Sequence, residues 1–212
     1  MSETRITVPC GPLALEGVFH TPAGGGPFPT VVVCHPHPQY GGDMDNNVVR
    51  AAVRGVTARG MAALRFNFRG VGRSQGVYDG GHGEQEDVRA ALTYAAACPE
   101  VDATRLGLAG YSFGAVMAAL AADHRVAALA LIAPPLAAAE LGGRLTAVQT
   151  PLLLLAGEQD PFCPADALRR LAVGHRVELV LIPGVDHFWF GRERHIEETV
   201  GDFFARHLQA RQ

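Results

Sequence analysis

The sequence predicts an α/β fold in which a mostly parallel, eight-stranded twisted sheet carries helices on both faces. Three observations support this prediction. Short apolar runs recur along the chain, helical stretches separate most of them, and turns rich in glycine or proline end them. Strands that alternate with helices form βαβ units with right-handed crossovers, which give a parallel sheet. No repeat, linker or low-complexity tract interrupts the pattern, so residues 1–212 are expected to form one domain.

The predicted strands are short and apolar, and they cover residues 5–8, 13–20, 30–34, 62–68, 106–109, 126–132, 152–156 and 177–182. The first two are expected to be antiparallel because only a short turn joins them. The predicted helices cover residues 46–59, 84–98, 115–122, 165–173 and 193–207. Asn46 or Asn47 can cap the first helix and Gly60 ends it, while Pro99 stops the second.

Composition excludes several classes of function. The chain is 48% hydrophobic and 18% charged, which is typical of a soluble globular protein. Its net charge of -3 has interspersed signs, so no nucleic-acid footprint is expected. No apolar run approaches the roughly 20 residues of a membrane helix, and the N-terminus lacks a signal-peptide pattern. We therefore expect no membrane partner and a cytoplasmic location.

All 18 basic residues are arginine, which excludes a Schiff-base lysine, a Walker lysine and a Ser–Lys dyad. The four cysteines are far apart in sequence and form no C-x-x-C pair. They are expected to be reduced buried thiols, with Cys163 as a potential target of thiol reagents because it lies near the predicted site.

The segment Gly110-Tyr111-Ser112-Phe113-Gly114 lies between a predicted strand and a predicted helix. This G-x-S-x-G pattern is typical of a nucleophile elbow, in which glycines permit a tight turn and the serine hydroxyl projects above the sheet. The N–H of Phe113 begins the helix, so it is a candidate oxyanion donor. A plain glycine-rich turn is the alternative interpretation. Of the other two serines, Ser2 is terminal and Ser74 is expected to be a turn residue.

Two further polar side chains follow strands at the same sheet edge. His187 follows the eighth strand and is the predicted general base, and Asp160 follows the seventh and is the predicted acid partner. Asp186 and Glu158 compete with Asp160. Asp186 adjoins His187, and neighbouring side chains on an extended loop usually diverge. In open α/β sheets, chemistry collects at the carboxyl ends of the strands, so Ser112, Asp160 and His187 are expected to meet there.

The chain order Ser, Asp, His resembles that of small bacterial α/β-hydrolases, and the resemblance covers nearly the full length. The matching pieces are His35-Pro36-His37-Pro38 with Gly41-Gly42, Arg65 to Gly72, the serine elbow, Gly157-Glu158-Gln159-Asp160 and Gly184-Val185-Asp186-His187. They look most like the lidless group near dienelactone hydrolases and X-Pro-peptidase-like proteins. Dienelactone hydrolases carry a nucleophilic cysteine where this chain has Ser112, which puts that activity in doubt. The resemblance implies an α/β-hydrolase fold.

The resemblance also guides the rest of the site. Pro36 and Pro38 have no N–H, which leaves His37 and Gln39 as second oxyanion donors, and His37 stands where related enzymes have theirs. Residues 136–150 can form about one helix, so no lid domain and an open cleft are expected. Tyr40 and Phe188 are expected to contact substrate, and further apolar walls could come from Phe113, Phe162 and Trp189.

The predicted function is a carboxylesterase for small or short-acyl esters that needs no cofactor and no metal. A metal bound by His35 and His37 is the alternative for that pair, but no further ligand cluster is evident. A peptidase, thioesterase or acyltransferase could use the same triad. A non-catalytic binding protein with this fold is the second class of function. The final helix and edge strands could support a homodimer.

Overall fold

The computed structural model of the chain describes residues 1–136, 141, 149–172 and 176–209. Its eight strands are β1 Ser2–Cys10, β2 Leu13–Thr21, β3 Phe28–Cys34, β4 Ala62–Phe66, β5 Val101–Tyr111, β6 Val126–Ile132, β7 Leu152–Gly157 and β8 Val177–Ile182. They form one sheet in the order β1-β2-β4-β3-β5-β6-β7-β8. The pairings β1–β2 and β2–β4 are antiparallel and the others are parallel. The predicted mostly parallel eight-stranded sheet is therefore confirmed.

The helices cover both faces of this sheet, as predicted. They are α1 Asn47–Thr57, α2 His82–Ala97, α3 Phe113–Ala121, α4 Ala165–Leu171 and α5 Glu193–Leu208, with a short 3-10 turn at Pro38–Tyr40. Alternate residues of each buried strand point to opposite faces. Val32 of β3 packs in the core on the side of α2, α3 and α4, whereas Val31 and Val33 pack on the side of α1 and α5.

Two helices begin before the residue that the sequence predicts. The α2 helix starts at His82 rather than at residue 84, because the Glu84 carboxylate reaches back to the chain before the helix. It accepts hydrogen bonds from the N–H groups of Asp79 (2.9 Å) and Gly81 (2.8 Å). The α3 helix starts at Phe113, two residues before the predicted run 115–122 and, as the elbow pattern indicates, directly after the serine. At α1, the structure selects Asn46 as the cap, since its Oδ1 accepts from the Val48 N–H at 2.9 Å.

Strand boundaries also differ from the prediction. The β4 strand ends at Phe66 rather than at residue 68. At Phe68 the backbone N–H donates to the imidazole Nε2 of His35 at 3.0 Å, so the chain has left the β-ladder there. The β5 strand begins at Val101, five residues before the apolar run, because Val101 still pairs with Phe28 of β3. Pairing partners, which the apolar pattern does not reveal, set these ends.

Residues 133–151 connect β6 to β7. The single helix predicted over residues 136–150 falls mainly on residues 137–140 and 142–148, which lie outside the described residues. The last residue of the helix predicted over 165–173 also lies outside them. In the described ranges, no helix combines the length and apolarity needed to cross a membrane.

Candidate active site

The site is built on a sharp turn at Ser112, between the end of β5 and the start of α3. Ser112 has φ 54° and ψ −120°, a strained conformation for a residue with a side chain. Its N–H donates to the Ile132 carbonyl of β6 at 2.9 Å, which ties the turn to the sheet. A Cβ on Gly110 would lie 2.1 Å from the Gly114 oxygen, and one on Gly114 would lie 2.4 Å from the His35 oxygen. Only glycine fits at both positions.

Ser112, His187 and Asp160 form a continuous hydrogen-bonded relay. The Ser112 Oγ lies 2.9 Å from His187 Nε2, and His187 Nδ1 lies 2.7 Å from Asp160 Oδ2. Because ionised Asp160 can only accept, His187 Nδ1 carries a proton and Nε2 is free to accept the serine proton. Asp160 and His187 are 3% and 7% exposed, so their interaction is shielded from water. The structure thus brings together the three residues that the sequence singled out as nucleophile, base and acid.

The two competing carboxylates have other partners. The Asp186 Oδ1 accepts from the N–H groups of Phe188 (2.9 Å) and Trp189 (3.3 Å), which folds the loop after the histidine. Glu158 lies on the surface, 3.9 Å from a nitrogen of Arg169. Asp160 contacts the imidazole, and its other oxygen, Oδ1, accepts from the Phe162 N–H at 2.8 Å and the Cys163 N–H at 3.0 Å. These backbone donors fix the carboxylate plane.

Tyr111, which sequence reasoning missed, supports the histidine loop. Its hydroxyl donates to the His187 carbonyl at 2.8 Å, and its ring centroid lies 5.5 Å from the imidazole. Burial beside Asp160 and Asp186 raises the pKa of Tyr111 well above its usual range, so the hydroxyl keeps its proton and remains a donor. The position before the nucleophile in the G-x-S-x-G pattern is the only sequence signal that could have pointed to it.

The residues that carry the two candidate oxyanion donors, Phe113 and His37, line the same pocket as Ser112. The Phe113 N–H is the first of α3 and has no partner within its own helix. His37 caps the 3-10 turn, and its carbonyl accepts from the N–H groups of Tyr40 (3.1 Å) and Gly42 (3.0 Å). The His37 and Phe113 ring centroids are 4.8 Å apart, so the loop after β3 contacts the start of α3. The His37 imidazole also lies 3.3 Å from the Tyr78 hydroxyl.

His35 is part of the scaffold and does not form a metal site with His37. Its ring is fully buried, with Nδ1 donating to the Pro36 carbonyl at 2.6 Å and Nε2 accepting from the Phe68 N–H. Both ring nitrogens are therefore occupied. Burial lowers the pKa of His35 to about 4, which keeps the imidazole neutral. Across the described part of the chain, no group of three or more His, Cys, Asp or Glu side chains could hold a metal.

A pocket of about 870 Å³ opens at Ser112. One wall comes from α3, with Val116, Met117 and Leu120, and the other carries the aromatic rings of Tyr40, Phe162 and Phe188. Tyr40 and Phe188, the two substrate contacts suggested by the sequence, both line it. Among its described lining residues, none is an Asp, Glu or Arg. The pocket is thus suited to an uncharged ligand.

Ser74 is structural, because its hydroxyl donates to the Asn67 carbonyl at 2.7 Å and accepts from the Glu16 N–H at 2.9 Å. Trp189 is fully buried, so the suggestion that it lines the cleft is wrong. The suggestion that Cys163 is a target for thiol reagents is also wrong. Cys163 is fully buried, and burial beside Asp160 raises its pKa well above the usual range.

The chain is similar to known proteins in sequence and in fold. Residues 29–209 fit the family model of an alpha/beta hydrolase domain. An uncharacterized protein of Rickettsia prowazekii is 32% identical over 186 residues, which span 82% of this chain and 78% of that protein. An alpha-beta serine hydrolase homologue from Coxiella burnetii has a similar structure (TM-score 0.86, 34% identity), with 95% of this chain and 97% of that chain covered.

A serine hydrolase without a lid from Xanthomonas campestris is similar over 100% of this chain and 98% of its own, with a TM-score of 0.86 and 31% identity. The two chains therefore align along almost their full lengths. This confirms the expectation that no lid domain is inserted in the sheet.

Proposed function

Since the chain belongs to the alpha/beta hydrolase family, we propose that it is a carboxylesterase that cleaves small or short-acyl esters through Ser112, His187 and Asp160. The observation that carries this proposal is the hydrogen-bonded relay, with 2.9 Å between Ser112 and His187 and 2.7 Å between His187 and Asp160. A free serine hydroxyl is a weak nucleophile, and an adjacent base is the usual way to activate it.

In the proposed first step, Ser112 Oγ attacks the ester carbonyl while His187 Nε2 takes the hydroxyl proton. Asp160 stabilises the imidazolium that forms and holds its ring orientation. The carbonyl oxygen becomes an oxyanion, for which the N–H groups of Phe113 and His37 are the proposed donors. His187 then gives its proton to the leaving alkoxide oxygen, which departs as the alcohol.

In the second step, water replaces the alcohol. His187 removes a proton from the water, whose oxygen attacks the acyl-enzyme carbonyl, and the collapse of the intermediate returns the proton to Ser112 and releases the carboxylic acid. No reactant besides ester and water is required. The open, lidless cleft supports short acyl groups, because a long chain would leave part of its apolar surface in water.

The test is hydrolysis of p-nitrophenyl acetate, butyrate and octanoate by the wild type and two variants. Ser112→Ala is expected to lose turnover by about 10⁴-fold or more, because both the nucleophile and the acyl-enzyme disappear. Ser2→Ala, which changes an exposed serine at the start of β1, is the matched control and is expected to match the wild type. Retained turnover in Ser112→Ala, or a preference for octanoate over both shorter esters, would contradict the proposal.

The same assay separates an esterase from other users of the triad. A p-nitroanilide and a thioester with the same butyryl group present an amine and a thiol as leaving groups. For each substrate, the acceleration is kcat/KM divided by the rate constant of uncatalysed hydrolysis. The proposal predicts that this acceleration is largest for the oxygen ester. A larger acceleration of the anilide would instead indicate a peptidase.

A further inference from the structure

We propose that the leaving-group side of the pocket is an aromatic slot, formed by Phe162 and Phe188, that selects esters of neutral alcohols bearing an aromatic ring. This inference rests on the proposed esterase function and goes beyond it by naming the alcohol. Three features of the described residues support it: which side chains flank the catalytic histidine, how much of them is exposed, and which charges are missing.

The position of the alcohol follows from the chemistry. His187 Nε2 must protonate the leaving oxygen, so the rest of the alcohol lies against the open side of the imidazole. Two rings flank that imidazole in edge-to-face geometry: Phe162 at 4.9 Å between centroids and Phe188 at 5.7 Å. The third ring near it, Tyr111, is only 3% exposed and is engaged with the loop backbone. Among the described rings that contact the imidazole, the two phenylalanines are therefore the ones exposed to an alcohol.

Both phenylalanines are open to solvent. Phe162 is 54% exposed and Phe188 is 52% exposed, although both line the pocket. Large apolar side chains at this exposure gain free energy when a ligand covers them. Aromatic rings also favour edge-to-face and offset contacts with another ring, beyond the area that they bury. A flat ring on the alcohol can use both effects.

The slot is held in place by its backbone. The Phe162 N–H donates to Asp160 Oδ1, and the Phe188 carbonyl accepts from Asn47 Nδ2 at 3.1 Å. Phe190 stacks on Phe188, with 6.3 Å between centroids and 13° between planes. Trp189, between them, is fully buried and anchors the loop. The backbone that carries both rings is therefore fixed before a ligand binds, which reduces the free energy lost to ordering the loops.

The charges around the pocket select a neutral alcohol. In the part of the chain that the structure describes, neither a carboxylate nor a guanidinium lines it. A cationic alcohol would find rings but no counter-ion, and an anionic alcohol would find no basic partner.

The acyl group extends to the other side of Ser112, where Phe113 and Met117 of α3 lie beside Gly81.

The experiment compares esters that share one acyl group and differ in the alcohol: benzyl, cyclohexylmethyl and ethyl butyrate. These are all primary alkyl esters, so differences in kcat/KM report mainly on the alcohol site. We expect the wild type to prefer benzyl over ethyl butyrate by about tenfold or more and benzyl over cyclohexylmethyl butyrate by a smaller factor. Butyrylcholine, with a cationic alcohol, is expected to be a poorer substrate than benzyl butyrate.

Phe162→Leu and Phe188→Leu keep apolar bulk and remove the rings. Each is expected to lower the benzyl-to-cyclohexylmethyl ratio by about threefold or more. Val77→Ala is the matched control, because Val77 is an exposed apolar residue (76% exposed) outside the pocket lining. It should keep the wild-type ratio. Circular dichroism and size-exclusion chromatography check the fold and oligomeric state of every variant.

The outcomes separate this inference from the proposed function. Turnover of p-nitrophenyl butyrate without any preference for the benzyl ester would overturn the aromatic slot and leave the esterase intact. The aromatic slot would also be overturned if both leucine variants kept the wild-type benzyl-to-cyclohexylmethyl ratio. The same holds if the variants changed their oligomeric state and kept the wild-type selectivity. A preference for butyrylcholine would show that the rings serve a cation. If the folded wild type hydrolysed none of the esters, both proposals would be rejected.

Discussion

Asp160 occupies a constrained position, because its two carboxylate oxygens have different partners. Oδ2 faces the His187 imidazole at 2.7 Å, whereas Oδ1 accepts two backbone N–H groups. An amide at this position can keep the second set of bonds but must present N–H groups to the histidine. The two functions of the carboxylate can therefore be separated by one substitution.

Asp160→Asn is expected to lower kcat by about 10³–10⁴-fold, because the amide favours the wrong imidazole tautomer. Its thermal unfolding midpoint should stay close to that of the wild type, since Asn Oδ1 can still accept from Phe162 and Cys163. Steady-state kinetics and calorimetry measure the two quantities. Asp186→Asn is the control and should stay within about tenfold of the wild type. Equal losses in the two variants would contradict the assignment of the acid.

Tyr111→Phe removes the hydroxyl that donates to the His187 carbonyl. The free energy of unfolding is expected to fall by about 1–2 kcal/mol, because a buried acceptor loses its partner. We also expect kcat to fall severalfold with little change in KM, since the hydroxyl holds the histidine loop and does not contact substrate. Urea unfolding and initial-rate kinetics measure these effects. A variant equal to the wild type in both would show that the bond does not position the loop.

Some residues of the site can be identified from the sequence and others cannot. Ser112, His187 and Asp160 could be selected because chemistry restricts the residue types and the topology restricts where they follow strands. Tyr111 could not, because its partner is a backbone carbonyl 76 positions away and any residue type supplies a carbonyl. The exclusion of Trp189 from the cleft likewise depends on packing, which the sequence does not display.

At the scale of elements, the site requires close contact between the start of α3 and the end of β3. A Cβ on Gly114 would lie 2.4 Å from the His35 oxygen and 2.5 Å from the Cys34 oxygen. Both atoms are backbone, so the helix or the strand would have to move. The elbow glycines therefore determine how near the Phe113 N–H comes to the loop that follows β3.

Gly114→Ala is expected to lower the free energy of unfolding by about 1–3 kcal/mol or more, through overpacking. Ester turnover should fall by about 10²-fold, because α3 and the serine shift together. Gly25→Ala is the matched control, since a Cβ there meets no atom within 4 Å. Chemical denaturation and p-nitrophenyl butyrate kinetics test this. A Gly114→Ala variant as stable and active as the control would contradict the close contact.

The sequence predicts the number of strands and their order along the chain, but it does not predict where each strand and helix ends. Apolar runs such as that of β7 reveal a buried strand directly. The start of α2 depends on the Glu84 carboxylate, which reaches back three residues to Gly81 and five to Asp79. The end of β4 depends on His35, which follows β3 directly. The His35–Phe68 hydrogen bond joins residues 33 positions apart, so no local pattern reveals it.

At the scale of the whole molecule, buried titratable groups link stability to pH. His35 joins the end of β3 to the segment after β4 as a neutral imidazole, and burial lowers its pKa from 6.5 to about 4. At His35 the folded state binds fewer protons than the unfolded state between these pH values. The contribution of His35 to stability is therefore fully present above pH 6.5 and is lost as the pH falls toward about 4.

His35→Gln is expected to show a shallower loss of stability than the wild type between pH 6.5 and about 4. The contribution of His35 to that loss is up to about 3 kcal/mol in the wild type. Glutamine can accept from the Phe68 N–H but does not titrate. Urea unfolding at several pH values in this range measures the difference. Parallel stability curves for the two proteins would show that His35 does not control this dependence.

The global arrangement could be predicted in outline. Alternation of strands and helices was enough for the parallel sheet covered on both faces, and the short turn after β1 indicated the antiparallel start. The order in which strands lie side by side, with β4 between β2 and β3, depends on pairings far apart in sequence. The sequence pattern does not specify these pairings, although the site depends on them.

The central claim is that the folded protein activates Ser112 as a nucleophile. The most direct measurement is reaction with a fluorophosphonate probe, followed by intact-mass analysis and peptide mapping. We predict that the folded wild type and Ser2→Ala take up one phosphonyl group on Ser112, whereas heat-denatured protein and Ser112→Ala take up none. A folded wild type that stays unlabelled, or a label that maps to another residue, would contradict the account.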